Sequence, residues 1–105
     1  MTQLDRAHFD HMTGGDTALQ AEIVVLFRAQ VAAWTQLLSA GANWREAAHT
    51  MKGSARGIGL WPLAEACEAA ERVADGDGPA LARALNDLHA ALDTALAALE
   101  PCEAA

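Results

Sequence analysis

His49 is the residue whose surroundings suggest chemistry. Arg45 precedes it by one helical turn, Lys52 and Gly53 follow it by one, and Arg56 lies a further turn on. At helical spacing these five share one face. A neutral imidazole nitrogen is a nucleophile near neutral pH, and cations a turn away attract an anionic reactant. The chain as a whole carries a net charge of -7, yet residues 44–60 hold Arg45, Lys52 and Arg56 against Glu46 alone, so this window is +2 and the remainder -9. A local cationic patch on an acidic protein draws anions to one place. Nucleic acid is a poor candidate, because neutralising several phosphates takes many cations and the acidic remainder repels the polymer. A small phosphoryl group fits better.

Gly53 points the same way. Glycine inside a helix costs about 1 kcal/mol relative to alanine, and alanine, about a quarter of the chain, is the commonest residue here. Two readings follow: another protein approaches the imidazole over that glycine, or two helices of the same molecule pack closely there. Glu46 and His49 also make a Glu-x-x-His pair of the kind found in di-iron bundles, but those require further inward glutamates and a second such pair, and the second pair is missing from the chain. His8 and His11, three apart, have no third ligand at useful spacing. No metal and no other cofactor is therefore expected.

The elements that must carry this face are all helical. Leu4, Phe9 and Met12 suggest a short helix over residues 4–12, capped by Asp5 and packed on a larger body. After the break at Thr13-Gly14-Gly15, Asp16 caps a long helix to about Ser39 with Leu19, Ile23, Phe27, Val31, Trp34 and Leu38 along one side. Residues 40–43 turn the chain, and Asn43 is placed to cap the His49 helix, which ends near Gly59. Its apolar stripe is Trp44, Ala48, Met51, Ala55 and Ile58, so His49 should face solvent beside a packed seam. A third long helix begins at 60–62, with Pro62 in its first turn and a seam of Leu63, Cys67, Ala70 and Ala74. Asp75-Gly76-Asp77-Gly78 turns the chain again. From Pro79, leucines 81, 85, 88, 92, 96 and 99 mark a last helix ending at Glu100-Pro101. The expected fold is all-α: an antiparallel up-and-down four-helix bundle with the short N-terminal helix as a lid. The 105 residues make one domain.

The run His49-Thr50-Met51-Lys52-Gly53-Ser54-Ala55, followed by Ile58-Gly59, Leu63, Cys67 and Glu71, resembles the motif of histidine-containing phosphotransfer (HPt) domains. Gly15-Asp16, Leu19, Ile23 and Phe27 resemble the weaker pattern upstream. Gly57 departs from it, since many relatives carry a polar residue there. The resemblance implies that His49 accepts a phosphoryl group from the aspartyl phosphate of one receiver domain and passes it to another. It further implies that Lys52 and Arg56 offset the added charge, that Arg45 and Gly53 belong to the docking face, and that Glu71 orients the imidazole. The alternative for Glu71 is a solvated face shared with Glu65 and Glu68. For an exposed pair ~6 Å apart in water the charge term is below about 1 kcal/mol, so the cations tune and position.

On that reading the partners are receiver domains of response regulators or of a hybrid histidine kinase. The receiver supplies the metal ion and most catalytic groups, so the protein is not an enzyme by itself. The chain has no nucleotide-binding glycine loop and cannot phosphorylate itself. A different class of function is a non-catalytic helical module that only binds receivers, and transfer of phosphate separates the two.

Composition adds the setting. Cys67, in a seam with nothing basic near it in sequence, reads as a small buried hydrophobe, and Cys102 falls in the tail after Pro101. Two such cysteines do not make a disulfide framework, which favours a reducing, cytoplasmic location. The first residues lack the apolar core of a signal peptide. No uninterrupted apolar stretch approaches the roughly 20 residues that span a bilayer, and an acidic surface disfavours anionic membranes. The protein is expected to be monomeric.

Overall fold

Five helices account for nearly all of the computed structural model, which describes residues 3–40 and 43–103. They are α1 (Arg6–Thr13), α2 (Thr17–Ala40), α3 (Trp44–Ile58), α4 (Trp61–Glu71) and α5 (Gly78–Glu103). Short aspartate caps start three of them. Asp5 accepts from the His8 amide at 3.0 Å, Asp16 from Leu19 at 3.1 Å and Asp77 from Ala80 at 3.1 Å, each meeting one of the donors a helix start leaves unpaired. Left-handed glycines stop two of them, Gly14 after α1 and Gly59 after α3.

Contacts run from α2 to α3, α3 to α4, α4 to α5 and α5 back to α2, closing a ring of four helices, while α1 leans on α2 and α3. The core lies inside that ring. From α3 it takes Ala48, Met51, Ala55 and Ile58, from α4 Leu63 and Cys67, and from α5 Leu88, Leu92 and Leu99, all buried. Full burial of one such leucine removes enough apolar surface from water to contribute roughly 1.5–3 kcal/mol. Phe27 and Trp34 meet edge to face with centroids 5.8 Å apart on the α2 side.

Several expectations change. Leu19 is exposed, and the neighbouring Gln20 is buried in its place at 2% exposure. Its amide donates to Asp10 at 2.8 Å and to Thr13 at 2.9 Å, while Arg6 donates to its carbonyl oxygen at 3.3 Å, so a polar clasp to α1 sets the first turns of α2. Met12, expected to pack inward, is exposed, whereas Phe9 is buried. Asn43 sits at the α3 cap position in left-handed geometry, and its side chain makes no capping bond; only its carbonyl accepts, from Ala47 at 3.0 Å. Residues 41 and 42 of the expected turn lie outside the described residues.

Helix α4 stops at Glu71, which leaves Ala74 exposed and outside the seam. Helix α5 runs through Pro101 to Glu103, and Cys102 is a buried member of it rather than part of a tail. It accepts a hydrogen bond from the Arg6 guanidinium at 3.0 Å. Helix α2 is long and apolar enough over Thr17–Leu38 to cross a membrane, by length and composition only. A search for unbroken apolar runs misses it because Glu22 and Arg28 interrupt it.

The candidate phosphoryl site on α3

The order of residues on α3 puts His49, Lys52 and Gly53 on one side of one helix. Ala48 and Met51 anchor the opposite side in the core with no exposed surface. The His49 side chain is consequently 71% exposed. Its Nδ1 lies 3.3 Å from Oε2 of Glu71, the last residue of α4. Lys52, one turn on, places Nζ 3.0 Å from the other oxygen of the same carboxylate. Glu71 thus bridges the two, at 18% exposure, and Lys52 is covered to 13%.

Burial pushes the Glu71 carboxyl upward, but hydrogen bonds and charge from Lys52 and His49 outweigh it and hold the group below its ordinary value of 4.5. An ionised carboxylate only accepts. A ring nitrogen set against it serves as the donor, so the contact favours the neutral tautomer with its proton on Nδ1.

The +2 window does not stand as a free cationic patch. Lys52 meets Glu71. Arg56, half exposed, reaches Glu68 at 3.5 Å, and Arg72 reaches the same glutamate at 2.8 Å. Arg45 turns to the end of α4: it donates to the Glu71 carbonyl, to the Val73 carbonyl at 3.1 Å and to Asp75 at 2.9 Å, with its guanidinium 4.5 Å over the Trp44 ring. Carboxylates distant in sequence balance the window, an arrangement local charge counting cannot reveal. Glu71, Lys52 and His49 do come together; Arg45 and Arg56 each hold a partner at the rim.

Gly53 is exposed, and a Cβ built on it would meet nothing within 4 Å. Close packing inside this molecule therefore does not explain the glycine. Beside it on α3, Ser54 and Gly57 line an apolar cleft of about 360 Å³ that also takes in Met12, Leu26 and Phe27. Met12 and Leu26 are both about 60% exposed. Nothing in the sequence pattern of α3 alone announced this cleft, because it is formed with α1 and α2.

Cys67 lies beneath the site. Burial first and the Glu71 charge second push its thiol up to about 12, while Lys52 works in the opposite direction. A lysine does lie close after all, brought there by the fold, and burial with Glu71 overrides it. Among the described residues no group of three or more His, Cys, Asp or Glu gathers that could hold a metal ion. His8 instead packs on Trp61 with centroids 5.0 Å apart, next to the Asp5 carboxylate that accepts from Trp61 Nε1 at 2.9 Å.

The all-helical fold of the described residues is matched among known proteins. A family model, the Hpt domain, matches residues 27–100, and the chain belongs to that family. The crystal structure of the histidine phosphotransferase ShpA from Caulobacter crescentus is similar, with a TM-score of 0.77 and 34% identity over 95% of this chain and 89% of that one. The comparison with curated proteins finds no match.

Proposed function

We propose that this protein is a histidine phosphotransfer intermediate of a two-component phosphorelay, with His49 as the residue that carries phosphate. The observation that carries this reading is the His49 ring itself, its side chain 71% exposed and its Nδ1 turned to Glu71 at 3.3 Å. The Nε2 lone pair attacks the phosphorus of a receiver's aspartyl phosphate. The P–O bond to that aspartate breaks, the carboxylate leaves with the electron pair, and an N–P bond forms. The proton on Nδ1 stays there, and Glu71 offsets the positive charge that builds on the ring. The reverse displacement on a second receiver completes the relay.

The receiver docks over Gly53 and the apolar cleft beside Ser54 and Gly57, where the missing side chain permits close approach and Met12 and Leu26 offer apolar contact. Lys52 stabilises the phosphoryl group from its place on Glu71, and Arg56 does so from further along the helix. Arg45 borders the docking face. The four-helix ring is read as an antiparallel up-and-down bundle forming one domain, working as a monomer in the cytoplasm, without autokinase activity, on receiver domains of response regulators or of a hybrid kinase.

Incubation with a phosphorylated receiver tests this reading. The wild-type chain should take the label and His49→Gln should not, with the circular dichroism of the two identical. Label remaining on His49→Gln would overturn the assignment, since His8, His11 and His89 lack the neighbouring carboxylate-lysine pair. A wild-type chain that binds the phosphorylated receiver without taking phosphate would make it a binding module instead.

A further inference from the structure

Glu71 is the last residue of α4, and the last turn of a helix is where backbone order is weakest and carbonyls go unpaired. Yet the carboxylate at that position has to meet His49 and Lys52 at hydrogen-bonding distance. Two carbonyls at this end, those of Glu71 and Val73, accept from one guanidinium, that of Arg45. The same guanidinium lies over the Trp44 ring, 4.5 Å from its centroid. Arg45, His49 and Lys52 follow one another at steps of four and three along α3, so a single helix grips the main chain of Glu71 with its first residue and the side chain with the other two.

We infer that Arg45 is a positioning residue for the phosphoryl-accepting histidine: by tying off the end of α4 it keeps the Glu71 carboxylate on His49 Nδ1 and so selects the ring tautomer that leaves Nε2 reactive. This rests on the reading of His49 as the acceptor. The carbonyl contacts, rather than the ion pair to Asp75, carry the effect, because Asp75 is almost wholly exposed and a solvent-exposed pair of that kind contributes little. A planar fork that donates to two carbonyls at once is a property of arginine that lysine does not reproduce.

The test is made on the unphosphorylated, uniformly ¹⁵N-labelled chain, by correlating imidazole nitrogens with ring protons and using His8, His11 and His89 as internal references. In the wild type His49 should be protonated on Nδ1. Arg45→Gln should move His49 toward the Nε2-protonated form, and the transfer rate should fall by about tenfold, the lower end of what losing an outer support of a functional imidazole costs. Receiver affinity is measured alongside, because Arg45 borders the docking face and a loss there is a separate effect. Arg45→Lys retains the charge and the stem, so it guards against a variant that fails to fold, and it should shift the tautomer in the same direction. Asp75→Asn should leave His49 as in the wild type. A His49 tautomer unchanged in a folded Arg45→Gln or Arg45→Lys protein would overturn the inference, whether or not receiver affinity falls. Because the tautomer is read without phosphate, a His49 that never accepts phosphate would remove the proposed function while the coupling from Arg45 to His49 is still decided.

Discussion

Lys52 Nζ and His49 Nδ1 take the two oxygens of one carboxylate, that of Glu71, at 3.0 and 3.3 Å. One ionisable group from α4 therefore holds both Lys52 and His49 on α3.

That relationship has a pH signature. The folded-state pKa of Glu71 lies below its ordinary value of 4.5, so between the two values the unfolded chain binds more protons and stability rises with pH. The contribution of Glu71 is fully present above the ordinary value and is lost as pH falls through the depressed one. Urea melts of wild type and Glu71→Gln should show a gap that shrinks as pH falls below 4.5. Asp5 is also held low, by its hydrogen bond from Trp61 first and from the His8 amide second. It titrates in both proteins, so it cancels in the difference. A gap that does not change with pH would mean the Glu71 charge stabilises nothing.

The α3 stripe was legible because helical period and burial coincide: Ala48, Met51, Ala55 and Ile58 are all inside, and His49 is outside as that register demands. The approach of Glu71 to His49 follows from the family motif and not from spacing, since 22 residues separate them. What periodicity missed depends on partners distant in sequence. Gln20 displaces Leu19 from the interior because Asp10 and Thr13 of α1 satisfy its amide. The end of α4 binds Arg45 from 26 residues away, and no local pattern predicts Ala74 falling outside the helix. Proline is a strong stop signal, yet α5 continues past Pro101 and buries Cys102 against Arg6.

Gly59→Ala should cost more than about 1 kcal/mol, because alanine is strained at positive φ, here 98°. Its Cβ would also lie 3.0 Å from the Asp5 carbonyl oxygen, a backbone atom that cannot swing aside. The Asp5 amide donates to the Gly59 carbonyl at 2.8 Å, so the damage falls on the attachment of α1. Gly57→Ala is the matched control. Nothing lies within 4 Å of its Cβ, and helix propensity should raise stability by up to about 1 kcal/mol. Thermal melts of the two variants should move in opposite directions.

Cys67 should resist thiol reagents at neutral pH. It has no exposed surface and its thiol is pushed up to about 12, so both access and the thiolate are lacking. Cys102, 3% exposed, should be slow as well. Titration with a chromogenic disulfide should find no fast-reacting thiol in the native protein and two in denaturant. A fast native reaction at Cys67 would place the α3–α4 seam in an open state.

Docking and chemistry separate at Gly53 and Lys52. The space over Gly53 is empty in this molecule, so Gly53→Gln creates no internal clash and should raise helix stability by up to about 1 kcal/mol. If a receiver occupies that space, the new side chain stands in its way, and both receiver affinity and transfer should collapse while the melting temperature holds or rises. Lys52→Ala removes a cation that is 13% exposed and already paired with Glu71. Docking should survive, and the transfer rate or the lifetime of the phosphohistidine should drop, because Glu71 loses one of its two partners and the phosphoryl group loses its nearest lysine. Receiver affinity, single-turnover transfer and a melt on each variant distinguish the two effects. Normal binding and transfer by Gly53→Gln would move the docking face away from α3, and an affinity loss in Lys52→Ala equal to its rate loss would make Lys52 a docking contact rather than a chemical one.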